Sequence, residues 1–364
     1  MINANMATQP KWTILQYSAS DNNLMPYMKQ DINEMERVGS DSFTNMVVQT
    51  DDGKEVKRYF LEKDPDMSTI NSPVVGEGLD TDMGDPKNLA DFIKWGVKNY
   101  PSEHVMLVIS DHGGGWTGAC SDDSAGSWMT MPMIRGALED AEKETGRKLD
   151  VIGFDCCLMA NTEVVKEIGD HATFIVASEE SEGGDGWPYT PILTPEALEK
   201  LQQAQMARIN VTPRELVNLV VKGAQGDQAS LPTMSGVETA KMGGLYEAID
   251  QLADAIVATK TPSTVLRTLV RSTQGFSYDN LKDMGDFADN ILKSDKIKDQ
   301  ALKDAATQIK AQMAEAVIAE EHAPGVRASG LTLEISTRGV PSKYDDLKFA
   351  QETRWTQALK KLSS

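Results

Sequence analysis

Short apolar segments alternate with amphipathic ones over the first 180 residues, and this alternation restricts the possible folds more than any other feature of the chain. The apolar runs have the length of strands and occupy residues 12–18, 45–51, 104–112, 149–157 and 172–180. The segments with helical spacing occupy residues 21–38, 86–99, 132–146 and 159–168. Buried strands connected by helices are typical of a mainly parallel sheet covered on both faces. The sequence therefore predicts an α/β fold for this half.

The pattern changes beyond about residue 195, where helical spacing dominates. The predicted helices are residues 213–222, 242–259, 262–271 and 296–321, and the two predicted strands are residues 233–239 and 330–336. In the first half, a turn at residues 51–53 predicts a hairpin into residues 56–61, and residues 66–84 have the composition of a long loop. We divide the chain at about residue 200. The second part either adds strands to the same sheet or forms a small appended domain.

Charge and hydropathy exclude two classes of protein. The 364 residues include 55 acidic and 36 basic side chains, a net charge of -19, so no basic surface is available to neutralise nucleic-acid phosphates. The longest apolar run is about six residues, whereas a membrane-spanning helix needs about 20. The first ten residues have neither the basic start nor the apolar stretch of a signal peptide, and removal of a leader from a longer precursor stays open.

Cysteine and histidine are too few and too scattered for a disulfide framework or a transition-metal site. The three cysteines include the adjacent pair Cys156 and Cys157, which rarely bond to each other. The four histidines form no HExxH pattern, and there is no CxxC pair. We therefore predict that no metal takes part in the chemistry.

Reactive side chains occur where two of the predicted strands end. The first strand runs into SDHGGGW, in which His112 precedes three glycines, and the second runs into FDCCLM, which contains Asp155 and both adjacent cysteines. The helix predicted after the second strand would stabilise a thiolate through its N-terminal dipole. Parallel strands end at the same edge of a sheet, where ligands of such folds bind. A histidine and a cysteine in one crevice are suited to nucleophilic catalysis.

Longer blocks around these strand ends resemble the clostripain family of cysteine peptidases, which belongs with the caspases, legumains and gingipains. The blocks are LADFIKWGVKNYP (residues 89–101), SDHGGGW (110–116), IGFDCCLMANTEV (152–164) and VASEESEGGDGWPY (176–189), and weaker matches extend the resemblance to the end of the chain. It implies a caspase-like fold, with residues 1–200 as the catalytic α/β core and residues 201–364 as the more helical part. It also implies an endopeptidase that cleaves proteins and peptides after Arg or Lys.

The resemblance assigns the catalytic residues. The family histidine before the glycines is His112, and the family nucleophile, which commonly follows Asp-Ala, aligns with Cys157. Cys156 occupies the alanine position, so this chain departs from the family by placing a second thiol beside the nucleophile. We expect the backbone N–H groups of Gly113 and Cys157 to hold the oxyanion of the intermediate.

The resemblance also assigns a pocket for a basic side chain, lined by Asp155 and Asp185. Trp116 and Trp187 are candidates for its walls. For Asp185 the alternative is a role in the turn GGDG, and for the two tryptophans it is packing in the core.

Four further expectations concern cofactors, processing, partners and activity. The chemistry needs no cofactor, and calcium stays possible because some relatives depend on it, although solvated loop acids explain residues 80–85, 122 and 123 better. Several relatives cut themselves after a basic residue beyond the catalytic histidine, but residues 113–134 contain no Lys or Arg. The oligomeric state stays open. The competing functions are an inactive caspase-like binding scaffold and a peptidase of different specificity.

Overall fold

The fold was analysed in a computed structural model, which describes residues 10–79, 81–189, 211–224 and 231–364. The described residues form thirteen strands: β1 (Trp12–Ser18), β2 (Thr44–Asp51), β3 (Val56–Phe60), β4 (Val74–Gly76), β5 (His104–Ser110), β6 (Ala119–Asp122), β7 (Ser127–Met129), β8 (Leu149–Asp155), β9 (Ala172–Ala177), β10 (Thr233–Glu238), β11 (Leu281–Asp283), β12 (Val317–His322) and β13 (Thr332–Glu334). They also form eleven α-helices: α1 (Met25–Glu36), α2 (Pro86–Asn99), α3 (Met131–Thr145), α4 (Thr162–Ile168), α5 (Pro213–Gly223), α6 (Met242–Ala258), α7 (Ser263–Ser272), α8 (Met284–Lys293), α9 (Gln300–Ala316), α10 (Lys348–Glu352) and α11 (Trp355–Ser363). None of the described helices is long and apolar enough to cross a membrane.

Nine of these strands form one sheet in the order β12-β10-β9-β8-β5-β1-β2-β3-β4. The five central strands, from β9 to β2, are parallel to one another, and the pairs at both edges are antiparallel. The predicted mainly parallel α/β fold is therefore confirmed. The hairpin β2–β3 lies where the turn at residues 51–53 predicts it.

Side chains that alternate along the strands form two apolar layers, one on each face of the sheet. On β1, Leu15 and Tyr17 belong to one layer and Trp12 and Ile14 to the other. Helices α1 and α5 cover the second layer, while α2, α3, α4 and α6 to α11 cover the first. Burial on both faces explains why the central strands carry apolar side chains on both faces.

Local signals explain where several helices begin and end. The side chain of Asp85 accepts a hydrogen bond from the backbone N–H of Lys87 at the start of α2, and Pro86 occupies the first helical position. Gly146 ends α3 in the left-handed conformation that glycine adopts without strain. Thr212 and Glu215 form a reciprocal capping box at the start of α5.

The structure differs from the predicted elements at several places, and helices α8, α10 and α11 and strand β11 were not predicted. The helix predicted over residues 296–321 ends at Ala316, and the chain continues as the edge strand β12, antiparallel to β10. The strand predicted over residues 330–336 is shortened to β13, which pairs with β11 outside the main sheet. The loop predicted over residues 66–84 contains β4. Short strands β6 and β7 form a hairpin that no sequence periodicity indicated.

Candidate active site

The register of two neighbouring strands brings His112 and Cys157 to the same edge of the sheet. Strands β5 and β8 are parallel, and Ser110 lies opposite Asp155. His112 follows Ser110 by two residues, and Cys157 follows Asp155 by two residues. A Cβ atom on Gly113 would lie 2.3 Å from the carbonyl oxygen of Cys157, so only glycine allows the two backbone segments to approach this closely. The meeting of the two strand ends predicted from the sequence is thus observed.

A cavity opens at this edge, and both reactive side chains line it. Its other walls come from the N-terminal part of α1 and from the loop after residue 180. The lining residues are Leu24, Met28, Asp31, Ser110, Asp111, His112, Asp155, Cys156, Cys157, Glu182, Gly183, Gly184 and Gly186. No Lys or Arg is among the described residues that line it, so its polar surface is acidic apart from the histidine.

His112 is held by a residue that the sequence analysis did not identify. Its Nε2 lies 2.9 Å from Oδ1 of Asn23, just before α1. Because an amide oxygen accepts a hydrogen bond, this contact assigns the proton to Nε2 and leaves Nδ1 available. Partial burial lowers the pKa of His112 from its ordinary value, which favours the neutral imidazole.

Asp111 anchors the chain immediately before the histidine. Its Oδ1 accepts a hydrogen bond from Nδ2 of Asn22 at 2.7 Å, and its Oδ2 accepts one from the backbone N–H of Ser121. Burial raises the pKa of Asp111 to about 7, which its hydrogen bonds partly oppose. The aspartate therefore connects the segment between β1 and α1, the end of β5 and the β6–β7 hairpin.

Cys157 is positioned by a loop and not by a helix, which corrects the expectation from the sequence. Helix α4 begins only at Thr162, so its dipole does not act directly on the thiol. The sulfur instead accepts a hydrogen bond from the backbone N–H of Glu182 at 3.3 Å, and it lies 3.8 Å from the carbonyl oxygen of the same residue. Leu158 follows in a left-handed conformation (φ 69°), a strained geometry of the kind that clusters at functional sites.

The neighbouring Cys156 points the other way. Its side chain is 1% exposed, belongs to the apolar core and donates a hydrogen bond from Sγ to the carbonyl oxygen of Ile109 at 3.3 Å. Burial raises the pKa of Cys156 well above its ordinary value, which disfavours the reactive thiolate. Cys157 is only partly buried.

Asp155 lies in the wall of the cavity and is surrounded by donors. Oδ1 accepts a hydrogen bond from the backbone N–H of Trp187 at 3.0 Å, and Oδ2 accepts from Tyr189 Oη at 2.7 Å and from Ser110 Oγ at 3.2 Å. Burial raises the pKa of Asp155, while these donors act in the opposite direction. A Cβ atom on Gly186 would come within 2.9 Å of the carboxylate, so the loop can close over Asp155 only with glycine there.

The other three predicted pocket residues lie in different places. Asp185 is exposed on the loop and does not line the cavity, although its charge acts on Asp31. Trp187 is buried beneath the loop, 6.3 Å from the Tyr189 ring. Trp116 does not wall this cavity, because its indole donates to Glu334 Oε2 at 3.0 Å on the far side of the catalytic loop.

Three acidic residues of the cavity were not singled out in the sequence analysis, namely Asp31, Asp111 and Glu182. Asp31 looked like one of many charged positions on an amphipathic helix, but with Leu24 and Met28 it forms the i, i+4, i+7 stripe that faces the cavity. That spacing is visible in the sequence. Glu182 carried no signal of its own, because its position depends on how the loop folds back to Cys157.

Among the described residues, two of the acids considered for calcium have other hydrogen-bond partners. Asp85 caps α2, and Asp122 accepts hydrogen bonds from the backbone N–H groups of Met83 and Ala125. Asp80 lies outside the described residues. The part of the chain that the structure describes contains no group of three side chains able to hold a metal ion.

A caspase-like sheet with a histidine and a cysteine at adjacent strand ends defines the class as that of cysteine peptidases. The chain belongs to the clostripain family, whose family model matches residues 16–361. Clostripain from Hathewaya histolytica is 26% identical over 231 residues, which are 52% of this chain but only 43% of clostripain. The alignment therefore spans less than half the length of that relative.

Two solved structures share the fold over nearly the whole chain. One is a secreted C11 cysteine protease from Bacteroides thetaiotaomicron in complex with an irreversible peptide inhibitor; it has 19% identity and a TM-score of 0.70, covering 96% of this chain and 99% of that one. The other is an inactive zymogen C11 protease from Parabacteroides distasonis, with 21% identity, a TM-score of 0.72, and 95% and 99% coverage. At these identities the likeness establishes the fold.

Proposed function

We propose that the chain is a cysteine endopeptidase that cleaves peptide bonds after Arg, and after Lys less efficiently, with Cys157 as nucleophile and His112 as general acid and base. The observation that carries the proposal is the shared cavity: an imidazole and a partly buried thiol line it together with carboxylates and no basic side chain of the described chain. Family membership supports the reaction, and the acidic walls support the specificity.

The first half of the reaction forms a thioester. The sulfur of Cys157 attacks the scissile carbonyl carbon, and the thiol proton passes to Nδ1 of His112. The same imidazole returns that proton to the amide nitrogen as the C–N bond breaks and the amine leaves. Proton transfer by a positioned side chain contributes about 10²–10⁴-fold to the rate. Asn23 holds the ring through Nε2, so Nδ1 is the nitrogen that accepts and returns the proton in each step.

Water completes the reaction. His112 takes a proton from the water as its oxygen attacks the thioester, and the thiol leaves with that proton when the C–S bond breaks. In both halves of the reaction the oxyanion would be held by the backbone N–H groups of Gly113 and Cys157. The backbone segments of these two residues lie close together. One such donor typically contributes about 10²–10³-fold to kcat.

Specificity follows from the charge of the cavity. A guanidinium or ammonium group is costly to remove from water unless a carboxylate pairs with it. Asp155 supplies one carboxylate in the wall. Asp185, which is exposed on the neighbouring loop, adds negative charge that acts on Asp31. The planar guanidinium can pair with two oxygens at once, which favours Arg over Lys.

A panel of fluorogenic peptides that differ only in the residue before the cleaved bond tests the proposal. We expect the highest kcat/KM for Arg, a lower value for Lys, and values near background for Asp, Leu and Phe. An absence of turnover, together with slow alkylation of Cys157 by iodoacetamide, would favour the inactive binding scaffold. Efficient cleavage after an uncharged residue would instead identify a peptidase of different specificity.

A further inference from the structure

A second cavity lies across the glycine run at residues 113–115 from the cavity that contains His112 and Cys157. Its volume is about 330 Å³, compared with about 130 Å³ for the acidic cavity, and the two have no described lining residue in common. Its walls come from the loop after the glycine run, the β6–β7 hairpin, the start of α3 and the segment before α10. We call it the tryptophan cavity. None of its described lining residues takes part in the proposed acyl transfer.

Two indole rings form much of its apolar surface. Trp116 belongs to the loop after the glycine run, and Trp128 belongs to β7. The indole N–H of Trp116 donates to Glu334 Oε2 at 3.0 Å, and that of Trp128 donates to the carbonyl oxygen of Thr117 at 3.1 Å. Because both donors are already satisfied within the protein, the two rings offer carbon surface to a ligand.

The rest of the lining is apolar or balanced in charge. Pro132 and Leu347 add carbon surface, while Lys343 and Asp346 are exposed and carry one charge of each sign. Lys343 has a left-handed backbone (φ 64°), a strained conformation of the kind that clusters at functional sites. The described lining thus has no net charge that would attract an ionic group, and the volume is in the range of ligand pockets. An apolar or aromatic side chain fits such walls best.

Only the glycine run separates the tryptophan cavity from the proposed nucleophile. Gly113 forms an antiparallel bridge with Ala119, and successive residues of such a segment face opposite sides. A Cβ atom on Gly113 would lie 2.3 Å from the carbonyl oxygen of Cys157, whereas one on Gly114 would lie 3.4 Å from Cζ2 of Trp128. Because these glycines carry no side chains, a peptide can pass over them from one cavity to the other.

The proposed mechanism assigns the two cavities to opposite sides of the cleaved bond. The acidic cavity takes the residue before that bond, whose acyl group becomes attached to Cys157. His112 protonates the departing amine and directly precedes the glycine run. The amine therefore departs beside that run, and its first side chain is the one nearest to the tryptophan cavity.

We propose that the tryptophan cavity binds an apolar or aromatic side chain of the residue after the cleaved bond, with Trp128 as a specificity-determining residue. This inference rests on the proposed endopeptidase function and adds a preference on the leaving side of the substrate. The same cavity would also bind an added amine that replaces water in the second half of the reaction. The amine nitrogen then forms the new amide bond, the C–S bond breaks, and His112 passes the proton lost by the amine to the sulfur.

Competition between water and added amines for the acyl-enzyme tests this proposal. The substrate is a peptide ester that ends in Arg, so that every amine meets the same acyl-enzyme. Phenylalaninamide and glycinamide are added at equal concentrations of free amine, and the yield of each amide is measured relative to the free acid. The experiment uses the intact chain, Trp128→Ala and the control Trp95→Ala. Trp95 is a partly buried tryptophan on α2, as Trp128 is on β7, but it lines neither cavity.

The intact chain should prefer phenylalaninamide over glycinamide by at least about tenfold, because burial of an aromatic side chain is worth more than tenfold in binding. Trp128→Ala should lower this preference by at least about threefold through loss of an aromatic contact, and Trp95→Ala should keep it. Thermal unfolding verifies that the variants are folded. If Trp128→Ala does not fold, Ser342→Trp decides, because it places a large ring at an exposed lining position and should lower the preference by filling the cavity.

The outcomes separate this inference from the function on which it rests. Hydrolysis of the Arg ester without a preference between the two amines overturns the inference and leaves the proposed function intact. A preference that is unchanged in the folded cavity variant overturns the role of the tryptophan cavity. Absence of both hydrolysis and amide formation in the intact chain overturns the proposed function itself.

Discussion

Ser110 and Asp155 lie opposite each other on adjacent parallel strands, and Ser110 Oγ donates a hydrogen bond to Asp155 Oδ2 at 3.2 Å. This pair fixes the register of β5 and β8 at the edge where both strands end. Because His112 and Cys157 each follow two residues later, the same strand pairing places the proposed acid–base group and the proposed nucleophile at one edge of the sheet. The wall of the cavity and the proposed catalytic pair are therefore positioned by the same two strands.

The two adjacent cysteines should differ completely in function. Cys157→Ala should abolish turnover, because no other nucleophile lines the described cavity at a partly exposed position. Cys156→Ala should keep most of the activity, since it removes a core sulfur that only donates to Ile109. Steady-state kinetics on an Arg peptide test both, with circular dichroism to verify folding. Loss of activity in a folded Cys156→Ala variant would reverse the assignment.

His112 and Asn23 should act as a unit. His112→Ala should lower kcat by several orders of magnitude, since it removes both proton transfers. Asn23→Ala should lower kcat by about 10–100-fold through misplacement of the ring. Asn23→Asp should move the pH–rate profile instead, because a carboxylate stabilises the protonated imidazole and raises the pKa of His112. An unshifted profile in Asn23→Asp would show that the observed contact does not orient the histidine.

The sequence predicted the central strands and the meeting of His112 and Cys157 at one edge of the sheet, because both depend on local patterns. Five apolar runs matched the five parallel strands, and the strand ends carried the histidine and the cysteine. The change from helix α9 to strand β12 at Val317 was missed because helical spacing continued past it, and pairing with β10 decided the conformation. Asn23 and Glu182 were missed for a similar reason: their roles come from contacts between segments far apart in the chain.

Stability should decrease as the pH rises from about 5 to 8. Burial raises the pKa of Asp51, Asp111 and Glu163 to about 7 and that of Glu334 to about 6, whereas unfolded carboxyls titrate near 4. At a pH between the unfolded and the folded pKa values, the folded chain binds more protons than the unfolded chain. The stabilisation present at low pH is therefore lost as the pH rises through the folded pKa values.

Urea unfolding at pH 5.5 and 7.5 measures this effect. The urea concentration at the unfolding midpoint should be lower at pH 7.5 than at pH 5.5. Glu163→Gln should reduce this difference between the two midpoints, because the amide keeps an acceptor for Tyr344 but does not ionise. The exposed control Glu315→Gln should leave the difference unchanged. A midpoint that rises with pH in the intact chain would contradict the raised pKa values.

The chain should remain in one piece while active. Residues 113–134, which include the β6–β7 hairpin, contain no Lys or Arg, so an enzyme specific for basic residues has no site there to cut. Intact mass spectrometry of protein that has been shown to be active should give 39.8 kDa for this chain. A new N-terminus within residues 113–134 would contradict both the expected processing and the specificity.

A single labelling experiment tests both Cys157 as the nucleophile and Arg as the preferred residue before the cleaved bond. The intact chain is incubated with two peptide chloromethyl ketones that differ only in their last residue, Arg or Leu, and the modified peptide is mapped by mass spectrometry. The account predicts one adduct, on Cys157, formed at least about a hundredfold faster with Arg, as expected when a buried charge pairs with its partner. Labelling of Cys156, or equal rates for the two reagents, would contradict it.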